Sequence, residues 1–300
     1  MKTNYTIFIL IPLLLFACRN EFSGKKKFSK NVNNKPIKKE KVFSFKNDLI
    51  FKNLKDSTIL SRLFDKPLLS ENHEALWKPN YYERMSIGIS ADGYCHTNID
   101  TILYFTSKNL KKNACVILTT YKYHYKKNDS TKLSKGDCHF CGVPLGIALF
   151  QENKEKNWTL YAFEKQFASL GSFGTINKDK DKISLVEMGN SWTCLSLKNG
   201  INGNMGEYEG FEHFYSIEKE LISGFPNRVL STVFSFRYFS NYIGLNDEIE
   251  DEITAKITLK KRETGYYPLQ LIIKDNGKIR YEEYKYSTRL NQYEKSKKTN

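Results

Sequence analysis

The sequence predicts a mainly β protein of antiparallel sheets, a sandwich or an open barrel-like arrangement, with a short N-terminal helix. Three features carry this. From residue 83 onward, short apolar-aromatic runs are separated by Gly, Asn, Asp and Lys turns, a texture of strands rather than of alternating β and α units. The carboxyl end alternates apolar and polar residues with period two. The chain also holds 19 Tyr and 20 Phe, side chains that cover a half-buried pleated surface well.

The elements follow in order. Asp56 caps a helical segment with Ile59, Leu60, Leu63 and Phe64 at helical spacing, stopped before Pro67. Strands are expected at 84–90, 99–107, 114–125, 143–151, 157–163, 182–188, 191–197, 209–217, 229–240, 252–262, 266–274 and 278–286. Ile253, Ala255, Ile257 and Leu259 alternate with Thr254, Lys256, Thr258 and Lys260. After a Glu263-Thr264-Gly265 turn, Leu269, Leu271 and Ile273 repeat the pattern. Asp275-Asn276-Gly277 then predicts a tight hairpin, because Asn and Gly tolerate the positive φ of a primed turn. Ile279 and Tyr281 share one parity while Tyr284 and Tyr286 share the other, which predicts a bulge near Glu282-Glu283. A three-stranded meander is therefore expected here. The segment 240–252, with its acidic stretch Asn246 to Glu252, is expected as a solvated loop or edge, since its carboxylates lack the ligand spacing and turn Gly of a calcium loop.

The first residues read as an export signal. Lys2 precedes an almost unbroken apolar run from Tyr5 to Phe16, shorter than the roughly 20 residues a membrane span needs. The run ends in Leu15-Phe16-Ala17-Cys18, which resembles the bacterial lipobox. That resemblance implies cleavage before Cys18 and multiple acylation of its new amino terminus, and stable anchoring requires more than one acyl chain. Arg19 follows in place of the Asp that often retains lipoproteins in the inner membrane, so the outer membrane, facing the periplasm, is expected in a two-membrane cell.

The domains are then 1–17, a lipoprotein signal peptide; 18–48, a basic flexible tether; and 49–300, a β-rich globular domain with a sub-boundary near 218–228. Residues 19–48 hold ten basic and three acidic side chains among Ser, Asn, Gly and Pro, the composition of a linker. The net charge is +14. Only eight of the 47 basic residues are Arg, the residue of bidentate phosphate and guanine contacts, so nucleic acid is not expected as a partner. The Lys-rich tether suits either simple solvation or anionic lipid head groups. The expected partners are the membrane, through the lipid anchor, and an envelope protein or glycan.

Cysteine is where chemistry is expected to sit. Beyond Cys18 there are Cys95, Cys115, Cys138, Cys141 and Cys194, an odd number for an oxidising compartment. Cys115 and Cys194 fall in predicted strands and are candidates for a disulfide between them. Cys138–Cys141, or Cys95 with either, is a second candidate bridge. Alternatively Cys95, Cys138 and Cys141 with His96 or His139 offer the soft thiolate and imidazole set that suits Zn or Cu, and a reactive thiol is a third reading. No cofactor is required by the sequence. Cys138-His139-Phe140-Cys141 lacks the His after the second Cys that haem attachment needs, and a strand rather than a helix is predicted behind it.

Cys138-His139-Phe140-Cys141, then Leu145-Gly146, Phe150, Trp158 and Gly171-Ser172-Phe173-Gly174 ahead of Leu185-Val186, resemble an uncharacterised family of secreted and lipid-anchored bacterial proteins. The resemblance covers residues 95 to 215 and implies a recurring domain around the motif, with no activity attached.

Enzyme templates find little support. The glycines at 200, 203, 206 and 210 are not followed by Gly-Lys-Ser/Thr, and neither a Gly-x-Ser-x-Gly elbow nor a His-Glu-x-x-His pair occurs. His73, His124 and His213 stand alone. His124, within Tyr121-Lys122-Tyr123-His124-Tyr125-Lys126, belongs to an aromatic-basic mix that suits an anionic polymer or glycan, or a solvated hairpin face. The expectation is an envelope lipoprotein acting as a binding or structural module. A metal-binding or thiol-redox protein is the alternative.

Overall fold

The computed structural model describes residues 49–54, 58–64, 68–69, 74–81, 83–84, 93–107, 109–126, 129–135, 142–171, 176–177, 181–202, 208–218, 230–243 and 249–296. Residues 1–48, which carry the expected leader and tether, lie outside the described residues. Among the described residues, no helix is long and apolar enough to cross a membrane.

The protein is mainly β, in two antiparallel sheets. The first contains β1 (Ile50–Phe51), β2 (Leu68–Leu69), β3 (Ala75–Trp77), β4 (Tyr94–Thr106), β5 (Lys112–Lys126), β6 (Asp129–Lys135), β7 (Val143–Glu152) and β8 (Trp158–Leu170), ordered β1-β8-β7-β5-β4-β3-β2 with β6 also on β5. A six-residue helix, α1 (Thr58–Leu63), packs Ile59, Leu60 and Leu63 on one face of this sheet against Trp77, Val116 and Phe150. The opposite face, with Ile117, Ile147 and Leu149, meets the second sheet. Central strands are thus covered on both sides, and Val143 to Phe150 are all buried. Strands buried on both faces read as continuous apolar runs instead of alternating ones, which is why Val-Pro-Leu-Gly-Ile-Ala-Leu-Phe shows no period.

The second sheet runs in sequence order: β9 (Lys182–Gly189), β10 (Trp192–Asn202), β11 (Tyr208–Ser216), β12 (Ser231–Ile243), β13 (Ile249–Leu259), β14 (Leu269–Asp275), β15 (Lys278–Ser287) and β16 (Gln292–Lys295). Every connection joins neighbouring strands. The expected sub-boundary at 218–228 falls between β11 and β12, which pair directly; the change of sheet comes between β8 and β9. Leu195 and Leu197 of β10 face the first sheet, whereas Cys194 points into a third cluster with Phe214, Phe234, Leu271 and Tyr293. The sheet curls around that third cluster as a half-barrel.

The predicted β13–β14–β15 meander is present, with unbroken registers. Asp275 pairs with Lys278, and Asn276 and Gly277 take φ of 44° and 81°, the two positive values of a type I′ turn. The bulge expected near Glu282-Glu283 is absent: pairing runs without a shift from Leu269↔Tyr284 to Asp275↔Lys278. Ile279 and Tyr281 stand on the outer face, 59% and 58% exposed, while Tyr284 and Tyr286 pack into the third cluster. Two apolar residues in solvent imitated a change of phase.

Other expectations shift in detail. Residues Tyr81, Glu83 and Arg84 are helical, where a strand was expected from 84. Asn80 and Glu83 exchange side-chain bonds to each other's backbone N–H at 2.9 and 2.8 Å, a reciprocal cap. The rest of the predicted 84–90 strand lies outside the described residues. Part of the acidic stretch is strand, since Tyr242 pairs with Asp251 and Asn241 with Glu252. β6 (Asp-Ser-Thr-Lys-Leu-Ser-Lys) carries too few apolar residues to show a period, and β1, β2, β3 and β16 are too short to show one.

Candidate functional site

Cys18, Cys138, His139 and Cys141 lie outside the described residues. Cys95, Cys115 and Cys194 are free thiols, all buried, and they sit in three separate clusters. The expected Cys115–Cys194 bridge is not formed, for a reason of geometry. Cys115 lies between the sheets, whereas Cys194 points from the far face of β10 into the half-barrel. Successive strand residues face opposite ways, so the β-sheet itself stands between the two sulfurs, and a disulfide requires Cβ atoms about 4 Å apart. Burial pushes the Cys95 thiol up to about 12, and a negative contribution from Glu83 acts in the same direction. Cys115 and Cys194 are pushed higher still by burial.

Strand parity also separates Cys95 from His96. Cys95 enters the cluster beneath α1. His96 is on the other face of β4, with Nε2 2.7 Å from Glu74 Oε2. One ion cannot draw on both adjacent side chains of a regular strand. Among the described residues, no three His, Cys, Asp or Glu side chains gather into a metal-sized group. β6 returns alongside β5 as far as Lys135↔Tyr123, and Tyr123 pairs with Tyr94 on its other side. The segment carrying Cys138-His139-Phe140-Cys141 follows β6 and lies beyond what is described.

The remaining histidines divide similarly. His73 and the side chain of His124 are outside the described residues. His213 Nδ1 is 2.9 Å from Ser235 Oγ, with its pKa lowered by burial. Phe211 and Tyr215, two residues before and after it along β11, flank its ring.

A site that sequence reading did not find lies where the second sheet curls. The turn between β9 and β10 touches the connection from β13 to β14: Gly189 bridges Tyr266, Asn190 N donates to Gly265 O at 2.9 Å, and Tyr267 N donates to Met188 O at 2.8 Å. Tyr293 of β16 locks this seam, its one hydroxyl proton shared between Tyr267 O at 2.8 Å and Met188 O at 3.1 Å. Two glycines make the approach feasible. A Cβ on Gly189 would fall 2.6 Å from Gly265 O, and Gly265 itself takes φ +72°, a value that L side chains avoid.

Three rings stack at this seam. Tyr266 lies 4.8 Å from Trp192 at 24° and 3.6 Å from Tyr286 at 20°. Two near-parallel rings this close to a third must occupy its two faces, so Tyr266 is the middle of the stack. Its hydroxyl is buried beside Tyr286 without a well-formed hydrogen bond, and burial raises its pKa far above the ordinary tyrosine value. The stack lines a cavity of about 410 Å³ together with Arg262, Lys285, Thr288 and Asn291, within the ~300–1,000 Å³ range of small-molecule sites. Among the described residues no acidic side chain lines it. The rings are half-buried, which leaves them within reach of solvent. The components come from positions near 192, 262–268 and 285–291, so no local motif advertises them.

Comparison of the chain with protein-family models, with curated proteins and with solved structures gives no match.

Proposed function

We propose that this protein is an exported lipoprotein whose β domain serves as a binding module of the cell envelope. In this reading the leader is cleaved before Cys18, Cys18 is acylated, and the basic segment 18–48 holds the domain near the membrane, on the periplasmic side of the outer membrane in a two-membrane cell. The observation that carries it is Leu15-Phe16-Ala17-Cys18 at the end of the Tyr5–Phe16 apolar run. A run of this length suits a signal peptide and is too short for a span of about 20 residues. The stacked, cation-bearing cavity at the seam of the second sheet supports a role in binding.

The test is Cys18→Ala in cells fed a labelled fatty acid. The wild-type chain is expected to be shortened, labelled and partitioned into detergent, and the variant to accumulate as an unlabelled precursor. Normal processing and labelling of the variant would refute the anchor.

A further inference from the structure

We infer that the cavity at the seam of the half-barrel binds a sugar ring carrying an acidic group, a carboxylate or a phosphate. This rests on the proposal that the domain is a binding module, and it gives that module a site and a ligand class. Three observations converge. The first is the ring stack: Trp192 and Tyr286 each spend one face on Tyr266. Tyr266 is sandwiched, so a ligand ring cannot enter between the rings and meets an outer one instead, where a saccharide lays its C–H face and directs its hydroxyls elsewhere.

The second is charge. Arg262 and Lys285 line the cavity with no carboxylate among its described lining residues. Guanidinium forms paired hydrogen bonds with a carboxylate or phosphate, and an ammonium adds a point charge. The third is neutral polarity. Thr288 and Asn291 line the same space, and Asn291 Oδ1 already accepts from the Tyr286 hydroxyl. An acidic, polyhydroxylated ligand offers partners to the two cations, the Thr288 hydroxyl and the Asn291 amide nitrogen, whereas a purely apolar one offers none.

Binding is measured by calorimetry on the detergent-solubilised full chain. The probes are a glucuronate-containing oligosaccharide, glucose 6-phosphate, the neutral glucose oligosaccharide and a short oligothymidylate. At least one acidic sugar is expected to bind about ten-fold or more tightly than the neutral one, and whichever acidic probe binds identifies the source of the charge. The Arg262→Gln/Lys285→Gln variant should lose that preference at an unchanged melting temperature, since both side chains are exposed. Tyr286→Phe tests the hydroxyl separately from the ring and should retain the stack. Equal binding of acidic and neutral sugars, an undiminished preference in the double variant, or tighter binding of the oligothymidylate overturns the assignment. Neutral-sugar binding that Tyr286→Ala abolishes would overturn the acidic class while leaving the binding-module reading intact. Failure of every probe, with Cys18 acylated normally, would overturn the sugar assignment and leave the anchor standing.

Discussion

Cys95, Cys115 and Cys194 show how completely burial governs the chemistry of a side chain. A thiolate is the reactive and metal-binding form, and desolvation disfavours it at all three positions. The consequence for stability has a definite sign. From the ordinary thiol value of 9.0 upward the unfolded chain releases protons that the folded chain keeps. The stabilisation is therefore complete below about pH 9 and is lost as pH rises toward about 12, to which Cys95 is pushed. Denaturant unfolding at about pH 8 and about pH 10.5 should show the fold weaker at the higher value, by up to about 1.4 kcal/mol per pH unit for each group. Cys95→Ala should flatten part of that slope; a curve level across this range would remove the account. The thiols' presence was plain in the sequence, but their isolation was not. Which neighbour a cysteine meets depends on the face of the strand it occupies, and a one-residue difference reverses it.

β15 makes the same point for a whole strand. Its odd residues Ile279 and Tyr281 are apolar yet face solvent, and its even residues Tyr284 and Tyr286 face the interior. Tyr284 packs edge-on against Phe234 at 4.9 Å. Tyr281→Ala is expected to change stability by less than about 0.5 kcal/mol and Tyr284→Ala to cost about 2 kcal/mol. Thermal or urea unfolding of the pair gives the answer, and a reversed order would restore the bulge. The Asn276-Gly277 turn was legible because positive φ is a property of two adjacent residues. β16 escaped notice because it is four residues long, and its Glu294 and Lys295 place charge on the sheet's edge, which discourages pairing with another chain.

Across the molecule, one layer ties the sheets together. Cys115, Ile117, Ile147 and Leu149 from one side meet Leu195, Leu197 and Ile217 from the other, mostly without solvent contact. Neither sheet keeps its buried face if the other departs, so the two should unfold in one cooperative transition. Leu195→Ala, at 0% exposure, is expected to cost about 2–5 kcal/mol. The loss should appear equally in the fluorescence of Trp158, on the first sheet, and Trp192, on the second. Separate melting of the two reporters, followed in single-tryptophan variants, would show that the sheets are independent.

Sequence alone determined that the domain is antiparallel β, that its carboxyl end is a meander, and where its tightest turn lies. These follow from periodicity and turn chemistry, which are written in consecutive residues. Tertiary structure alone decided that the second sheet curls, that Cys115 and Cys194 are separated by a sheet, and that Trp192, Tyr266 and Tyr286 form one stack. The rings of that stack come from turns and strands as far apart as residues 192 and 286, and no local pattern encodes their meeting. It depends on the close backbone approach at Gly189 and Gly265, which brings the two turns into contact once the sheet has bent.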